Sequence, residues 1–367
     1  MLWLEGDETH RVKVAGMNPW LAGIEANSFL QAPAESRIIL SVVIPCFNEQ
    51  DVLAELERRL CKVCDEVVPE AYEIILVNDG SRDRTSEMIA EMVRRNPKFV
   101  GVDLSRNFGH QTALTAGLSF VRGQRVLVID ADLQDPPELL PDMLKLMDAG
   151  ANIVYGKRTE RHGESWFKVR TAKLFYRLLG RLTEFPIPLD TGDFRLMDRK
   201  TLMVFLSMPE QYRFIRGMIA WIGLNQVELP YERHERFAGE TKYPLKKMVF
   251  FAIDAVTGFS IAPLRLAFFL AVLSIGLAVL VGIYAFIGWI MTATVAGWTS
   301  LLLLFLLFSS IQLACISIVG EYVGRTYMQT KQRPLYVVKA VHAAPAIRRS
   351  ETPVDKATET ARSAAAS

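Results

Sequence analysis

From Leu266 to Gly320 the chain runs for 55 residues without an Asp, Glu, Lys, Arg or His. A bilayer crossing takes about 20 apolar residues, so this stretch has room for two crossings and a short turn. They are expected at 266–290 and 299–320, with Thr292, Thr294 and Gly297 in the connection. A buried helical hairpin in a large soluble core is the competing reading, but no core helix needs so long an uncharged run. Lys246, Lys247 and Arg265 precede the pair, and Arg325, Lys331, Arg333 and Lys339 follow it; the turn carries no charge. Because Lys and Arg collect on the cytoplasmic side, both flanks and the whole N-terminal part are expected there, as in a multi-pass protein of the inner membrane. Glu5, Asp7, Glu8, His10 and Arg11 leave no early apolar run of the kind a signal peptide needs.

Several function classes drop out on composition. A net charge of +2 offers no footprint for nucleic acid. Four cysteines, three of them in a domain expected in the cytoplasm, do not make a disulfide framework. Cys61 and Cys64 form a CxxC within a helical segment and have no second pair, which argues against a zinc or redox site. Neither GxGxxG nor GxxxxGK[ST] occurs, so no dinucleotide fingerprint or P-loop is present.

Short β-branched runs at 38–44, 73–77, 99–104, 125–129 and 153–155 alternate with amphipathic segments at 49–68, 84–95 and 112–121. A further helix is opened by Pro136 and Pro137, where proline is tolerated in the first turn. Strands alternating with helices of 10 to 20 residues mean βαβ units and a mostly parallel sheet, with ligands at the carboxyl ends of the strands. Those ends are unusually polar: Pro45-Cys46-Phe47-Asn48-Glu49, Asn78-Asp79-Gly80-Ser81, and Asp130-Ala131-Asp132-Leu133-Gln134-Asp135. Carboxylates gathered on one edge repel unless a cation or a hydrogen-bonded ligand sits among them. Asp79 after its strand can accept a hydrogen bond from a nucleobase or ribose. Asp130 and Asp132, spaced DxD on a turn, can present two hard oxygen ligands to Mg²⁺ or Mn²⁺ carrying a diphosphate. A lone DxD is weak, since turns are rich in Asp; its alignment with the other two turns is what gives it weight.

SVVIPCFNEQ, LVNDGSRDRT, LSRNFGHQTALTAG and VIDADLQDPPE, in this order and spacing, resemble glycosyltransferase family 2 with the GT-A fold. YGKRTERHGESWFK, DTGDFRLMDR and RFAGETKY, followed by paired spans, resemble its polyprenyl-phosphate branch, which includes bactoprenol glucosyltransferases and is similar to dolichol-phosphate mannose synthases. The resemblance covers roughly 38–336. It implies that Pro45, Phe47, Glu49 and Asp79 hold the nucleoside, with Arg106 and Gly109 lining the same pocket. It implies that Asp130, Asp132 and Gln134 hold the divalent metal and the donor diphosphate, and that Arg158, Arg170, Arg236 and Lys242 meet phosphate, chiefly that of the acceptor lipid. Taken singly, each of these basic residues could equally be solvated surface charge. Asp193 matches the position where relatives place a catalytic base. A phosphate monoester is already largely dianionic near neutral pH, its second pKa being about 6, so Asp193 is expected to position the acceptor or Arg195.

The implied reaction is inverting transfer of a sugar from a nucleotide-sugar, UDP-glucose first, to a polyisoprenyl phosphate, undecaprenyl phosphate first. GDP-mannose and amino-sugar donors stay open, as does a catalytically idle membrane scaffold. Transport is disfavoured by spans without ionisable groups. Where polymer-extruding synthases carry QxxRW, this chain reads QYRFIRGMIAW and has only two spans. The expected layout is an extension over 1–36, a GT-A domain over 37–243, interface helices over 244–264, the two spans over 265–322, and a cytoplasmic segment over 323–367 that is disordered from about 341. Gly and Ser along both spans allow a small homo-oligomer.

Overall fold

The computed structural model describes residues 38–158, 191–232, 257, 260, 262–290 and 297–344. The expected extension, most of the interface-helix region, Arg170, Arg236 and Lys242 lie outside these residues.

Five strands form near the expected positions: β1 (Leu40–Cys46), β2 (Tyr72–Asn78), β3 (Phe99–Leu104), β4 (Arg125–Val128) and β5 (Ile153–Arg158). Between them lie α1 (Leu53–Val67), α2 (Thr85–Arg95), α3 (His110–Ser119) and, after a 3₁₀ turn at Pro137–Leu139, α4 (Leu140–Asp148). Then come β6 (Thr191–Asp198), α5 (Arg199–Ser207), α6 (Ile215–Ile222) and β7 (Gln226–Tyr231). The sheet has eight strands in the order β7-β5-β6-β4-β1-β2-β3-β8, where β8 is Val338–His342. β1 runs parallel to β2 and β4, β2 to β3, and β5 to β7. β6 is antiparallel to both its neighbours, and β8 to β3. This is the mixed α/β sheet of a GT-A-like domain.

Helices cover both faces because each carries one apolar stripe. Leu53, Leu56 and Leu60 of α1, Ile89 and Met92 of α2, and Leu140 and Met143 of α4 bury against one face. Ala113 and Leu114 of α3, Leu202 and Phe205 of α5, and Ile215 and Met218 of α6 bury against the other. In α3, Gly117 lets the helix come close: a Cβ there would lie 2.5 Å from a Val43 methyl and 2.7 Å from one of Val77. Gly117→Ala is expected to overpack this seam and cost about 1–3 kcal/mol, measured by denaturant unfolding of the detergent-solubilised chain.

β6 has no clear sequence signal, because its Asp193 and Arg195 disguise a strand whose Phe194, Leu196 and Met197 are fully buried. Past the apolar stretch, β8 is held by the edge of β3 and by the His342 ring against Asp103 at 2.9 Å.

The uncharged stretch forms α7 (Ala262–Ile290) and α8 (Trp298–Thr330), both long and apolar enough to cross a membrane. The Cys315 thiol donates to the Ala267 carbonyl and the Tyr322 hydroxyl to that of Ser260, so the helices run antiparallel as a hairpin. α8 does not stop near Gly320. It continues past Glu321 and Arg325, an i,i+4 pair at 2.8 Å, because Gln329 docks on the α/β domain. The Gln329 amide donates to the Pro209 carbonyl and accepts from the Gln211 N–H, while Arg325 stacks over Tyr212.

Candidate active site

The three polar turns meet at one edge of the sheet, as parallel pairing of β1 with β2 and β4 requires. The first two are laced together. Asn48, at φ 57, places its N–H on Ser81 Oγ and its amide oxygen on the Arg82 N–H, and the Glu49 N–H donates to Thr85 Oγ1. Pro45 is buried within β1, whereas Phe47 is exposed and Glu49 half-buried. Asp79 is 2% exposed, and its two carboxylate oxygens accept the Phe108 and Gly109 N–H groups at 2.7 and 2.9 Å. It thereby fixes the entry to α3, where Gly109 adopts φ +94 and Arg106 lies over the Phe108 ring. Gly80 is needed for this approach, since a Cβ there would fall 2.5 Å from the Arg106 carbonyl carbon.

The β4 turn presents Asp130, Asp132 and Gln134, with Leu133 at φ 57 and the Gln134 N–H on Asp132 Oδ1. Asp130 Oδ1 is buried and has no hydrogen-bond partner; His110 Nε2 stands 3.5 Å away. Burial, opposed by His110 and reinforced by Asp193, Asp135 and Asp132, pushes the Asp130 carboxyl up to about 6.

β6 brings Asp193 opposite this turn. It is 2% exposed and densely partnered: Oδ2 accepts from Gln111 Nε2 at 3.0 Å and faces His110 Nε2 at 3.1 Å, and Oδ1 accepts from Arg216 Nε at 2.9 Å. Arg195 Nη2 lies 3.6 Å from Oδ1 and donates to the Gly192 carbonyl. Burial alone would raise the Asp193 pKa, but Arg216, the His110 hydrogen bond and Arg195 overcome it and hold the group well below the carboxylate range. For His110, burial works against the charged ring, yet Asp193 and Asp130 raise its pKa to about 9.

The fold therefore gathers Asp130, Asp132, Gln134 and Asp193 in one cleft, and ends β5 with Arg158 beside it. Sequence reasoning gave no part to His110, Gln111, Arg216, Asp135 or Tyr231. The first two sat in GHQ at the mouth of a helix, Arg216 in QYRFIRGMIAW, and Asp135 at the end of the polar turn after the fourth strand; only Tyr231 had no local signal.

Among the described residues, no three His, Cys, Asp or Glu side chains converge to hold a metal unaided. The site nonetheless fits a divalent cation that arrives with a diphosphate. Such ions take only one or two protein carboxylates, the rest of the shell coming from phosphate and water. A buried carboxylate oxygen without a hydrogen-bond partner is the group such an ion would satisfy.

The profile described as Glycosyl transferase family 2 matches residues 41–205. An uncharacterized glycosyltransferase of Bacillus subtilis is 46% identical over 82% of this chain and 93% of its own length. A prophage bactoprenol glucosyl transferase homolog of Escherichia coli is 35% identical over 82% of this chain and 99% of its own. Among solved structures, mannosyl-3-phosphoglycerate synthase of Rubrobacter xylanophilus aligns with a TM-score of 0.42 at 21% identity, over 62% of this chain and 74% of that one.

Proposed function

This chain belongs to glycosyltransferase family 2, and we propose that it transfers glucose from UDP-glucose to undecaprenyl phosphate at the cytoplasmic face of the membrane. The single observation that carries the reading is the acidic cleft, where His110 stands between buried Asp193 and an Asp130 oxygen without a hydrogen-bond partner, on a domain docked to a hairpin long enough to span a bilayer. The relatives named bactoprenol glucosyl transferase support the choice of sugar and lipid. Basic residues at the docked end of the hairpin, Arg265, Arg325, Lys331 and Arg333, support the orientation.

In this reading a phosphate oxygen of the lipid attacks the anomeric carbon from the face opposite the nucleotide. The bond to the donor diphosphate breaks, its electron pair leaves with UDP, and the configuration inverts. Asp130, Asp132 and Gln134 would hold a Mg²⁺ or Mn²⁺ ion, which supplies positive charge to the departing diphosphate. Phe47, Glu49, Arg106 and Gly109 would line the nucleoside pocket around Pro45, with Asp79 shaping it through the two backbone amides it holds. Arg158 would receive the acceptor phosphate, joined by Arg170, Arg236 and Lys242. Asp193 makes a poor general base: its pKa is depressed and its oxygens are taken by His110, Gln111 and Arg216. Its role is to hold those three groups in place, so catalysis rests on placement and charge stabilisation.

The test is transfer of radiolabelled sugar to undecaprenyl phosphate by purified protein in detergent. UDP-glucose, UDP-galactose and GDP-mannose are offered separately, with Mn²⁺ or with EDTA. Metal-dependent lipid product from UDP-glucose is expected. Product from GDP-mannose alone would reassign the donor, and nucleotide binding without product from any donor would favour an idle scaffold.

A further inference from the structure

Arg158 ends β5, and its guanidinium lies between the two walls of the cleft. Nε donates to Tyr231 Oη at 3.3 Å, and Nη2 stands 3.6 Å from Asp135 Oδ1. Asp135 directly follows Gln134, is fully buried, and accepts a hydrogen bond from the Tyr231 hydroxyl. Burial and Asp135 push the Tyr231 phenol upward, so the hydroxyl stays protonated as the donor. The Tyr231 ring is held in turn by an edge-on contact with Phe194 at 5.7 Å. On the other wall, a Cβ at Gly192 would stand 2.7 Å from Arg158 Nη2, so only glycine leaves the guanidinium its present place.

A buried carboxylate, a buried phenol and a glycine thus converge on one guanidinium that keeps 23% of its side chain open. Stability does not explain such an investment, because buried ion pairs can often be replaced by apolar groups without loss. Orientation does explain it. A guanidinium binds phosphate through a planar fork of N–H groups, and the plane must face the oxygens. Tyr231 and Asp135 take up one edge of that fork and fix its plane.

We propose that Asp135 and Tyr231 are positioning residues that orient Arg158 toward the phosphate of the acceptor lipid, and that Gly192 is the slot that admits it. The inference rests on the polyprenyl-phosphate reading above. None of the three touches the acceptor itself.

The test uses the full chain in detergent and titrates it with farnesyl phosphate and, separately, with UDP plus Mn²⁺. Asp135→Asn, Tyr231→Phe and Gly192→Ala are each expected to weaken farnesyl phosphate about tenfold, the scale for losing one hydrogen bond to a charged group, and to leave UDP binding unchanged. Gly192→Ala matters most, because it displaces only the far end of a flexible side chain and should spare the fold. In an Arg158→Ala background the same three changes should have no further effect on farnesyl phosphate, as a shared mechanism requires. Wild-type affinity in Gly192→Ala, a loss confined to UDP, or additive losses in the Arg158→Ala background would overturn the inference. A wild-type chain that binds UDP but not farnesyl phosphate would overturn the polyprenyl-phosphate reading itself, and this inference with it.

Discussion

Asp193→Ala is expected to abolish sugar transfer and to cost about 3–5 kcal/mol of stability, the scale for stripping one partner from a buried charge cluster. Asp193 is the only acid within hydrogen-bonding reach of His110, Gln111 and Arg216 together among the described residues, and Arg195 stands 3.6 Å away. Without it, two buried or half-buried guanidinium groups and an imidazolium face one another. Asp193→Asn keeps the shape and one acceptor oxygen, so it should fold better than the alanine variant while still transferring poorly. The pH dependence of the metal-free protein follows from the same cluster. The Asp193 pKa is lower folded than unfolded, so its contribution is complete above about pH 4 and drains away in stronger acid. The His110 pKa is higher folded, so its contribution is complete below about pH 6.5 and is lost on the way up to about 9. Because 43% of the His110 side chain meets solvent, the alkaline limb should be shallow. Thermal unfolding in EDTA from about pH 2 to 9.5 checks both limbs. An alkaline limb that persists unchanged in His110→Gln, or an Asp193→Ala variant as stable as wild type, would rule out the arrangement described.

The two walls of this cleft differ in how openly the sequence announces them. The wall built by β1, β2 and β4 reads directly, because strands of β-branched residues end in Asn-Glu, Asn-Asp-Gly and Asp-x-Asp, and parallel pairing must bring those ends together. The opposite wall is hidden. Asp193 and Arg195 alternate with Phe194 and Leu196 in a strand buried on both sides, so polarity that suggests a loop is in fact a paired charge inside the sheet. His110 and Gln111 lie 83 and 82 positions from Asp193, and Tyr231 lies 96 from Asp135. No local pattern encodes contacts over such separations; they exist only once β6 has inserted between β4 and β5. The end of α8 shows the same limit. Hydropathy falls at Glu321, yet the helix persists to Thr330 because Gln329 and Arg325 find partners on the loop leading to α6, the helix that carries Arg216. The long apolar hairpin and the element carrying Arg216 are thereby in contact, a relation visible only in three dimensions.

Asp130→Ala should reduce transfer by at least about a thousandfold, since a metal's charge stabilisation is worth several kcal/mol. The sharper expectation concerns pH. The Asp130 carboxyl sits at about 6 in the metal-free protein, because burial and three neighbouring acids favour the proton over the bare charge. A carboxylate must lose that proton to bind a cation. Affinity for Mn²⁺ in the presence of UDP should therefore be nearly flat above pH 7 and fall by about tenfold per unit well below 6. Calorimetric titrations at pH 5, 6 and 7.5 measure this directly, with proton release on binding expected to grow as pH falls. Asp130→Asn offers the control: it keeps the size of the side chain, cannot ionise, and should bind the ion weakly with little pH dependence in this range. A wild-type affinity that does not change between pH 5 and 7.5 would mean that the buried oxygen of Asp130 awaits something other than a cation. The metal-dependent mechanism would then have to be given up.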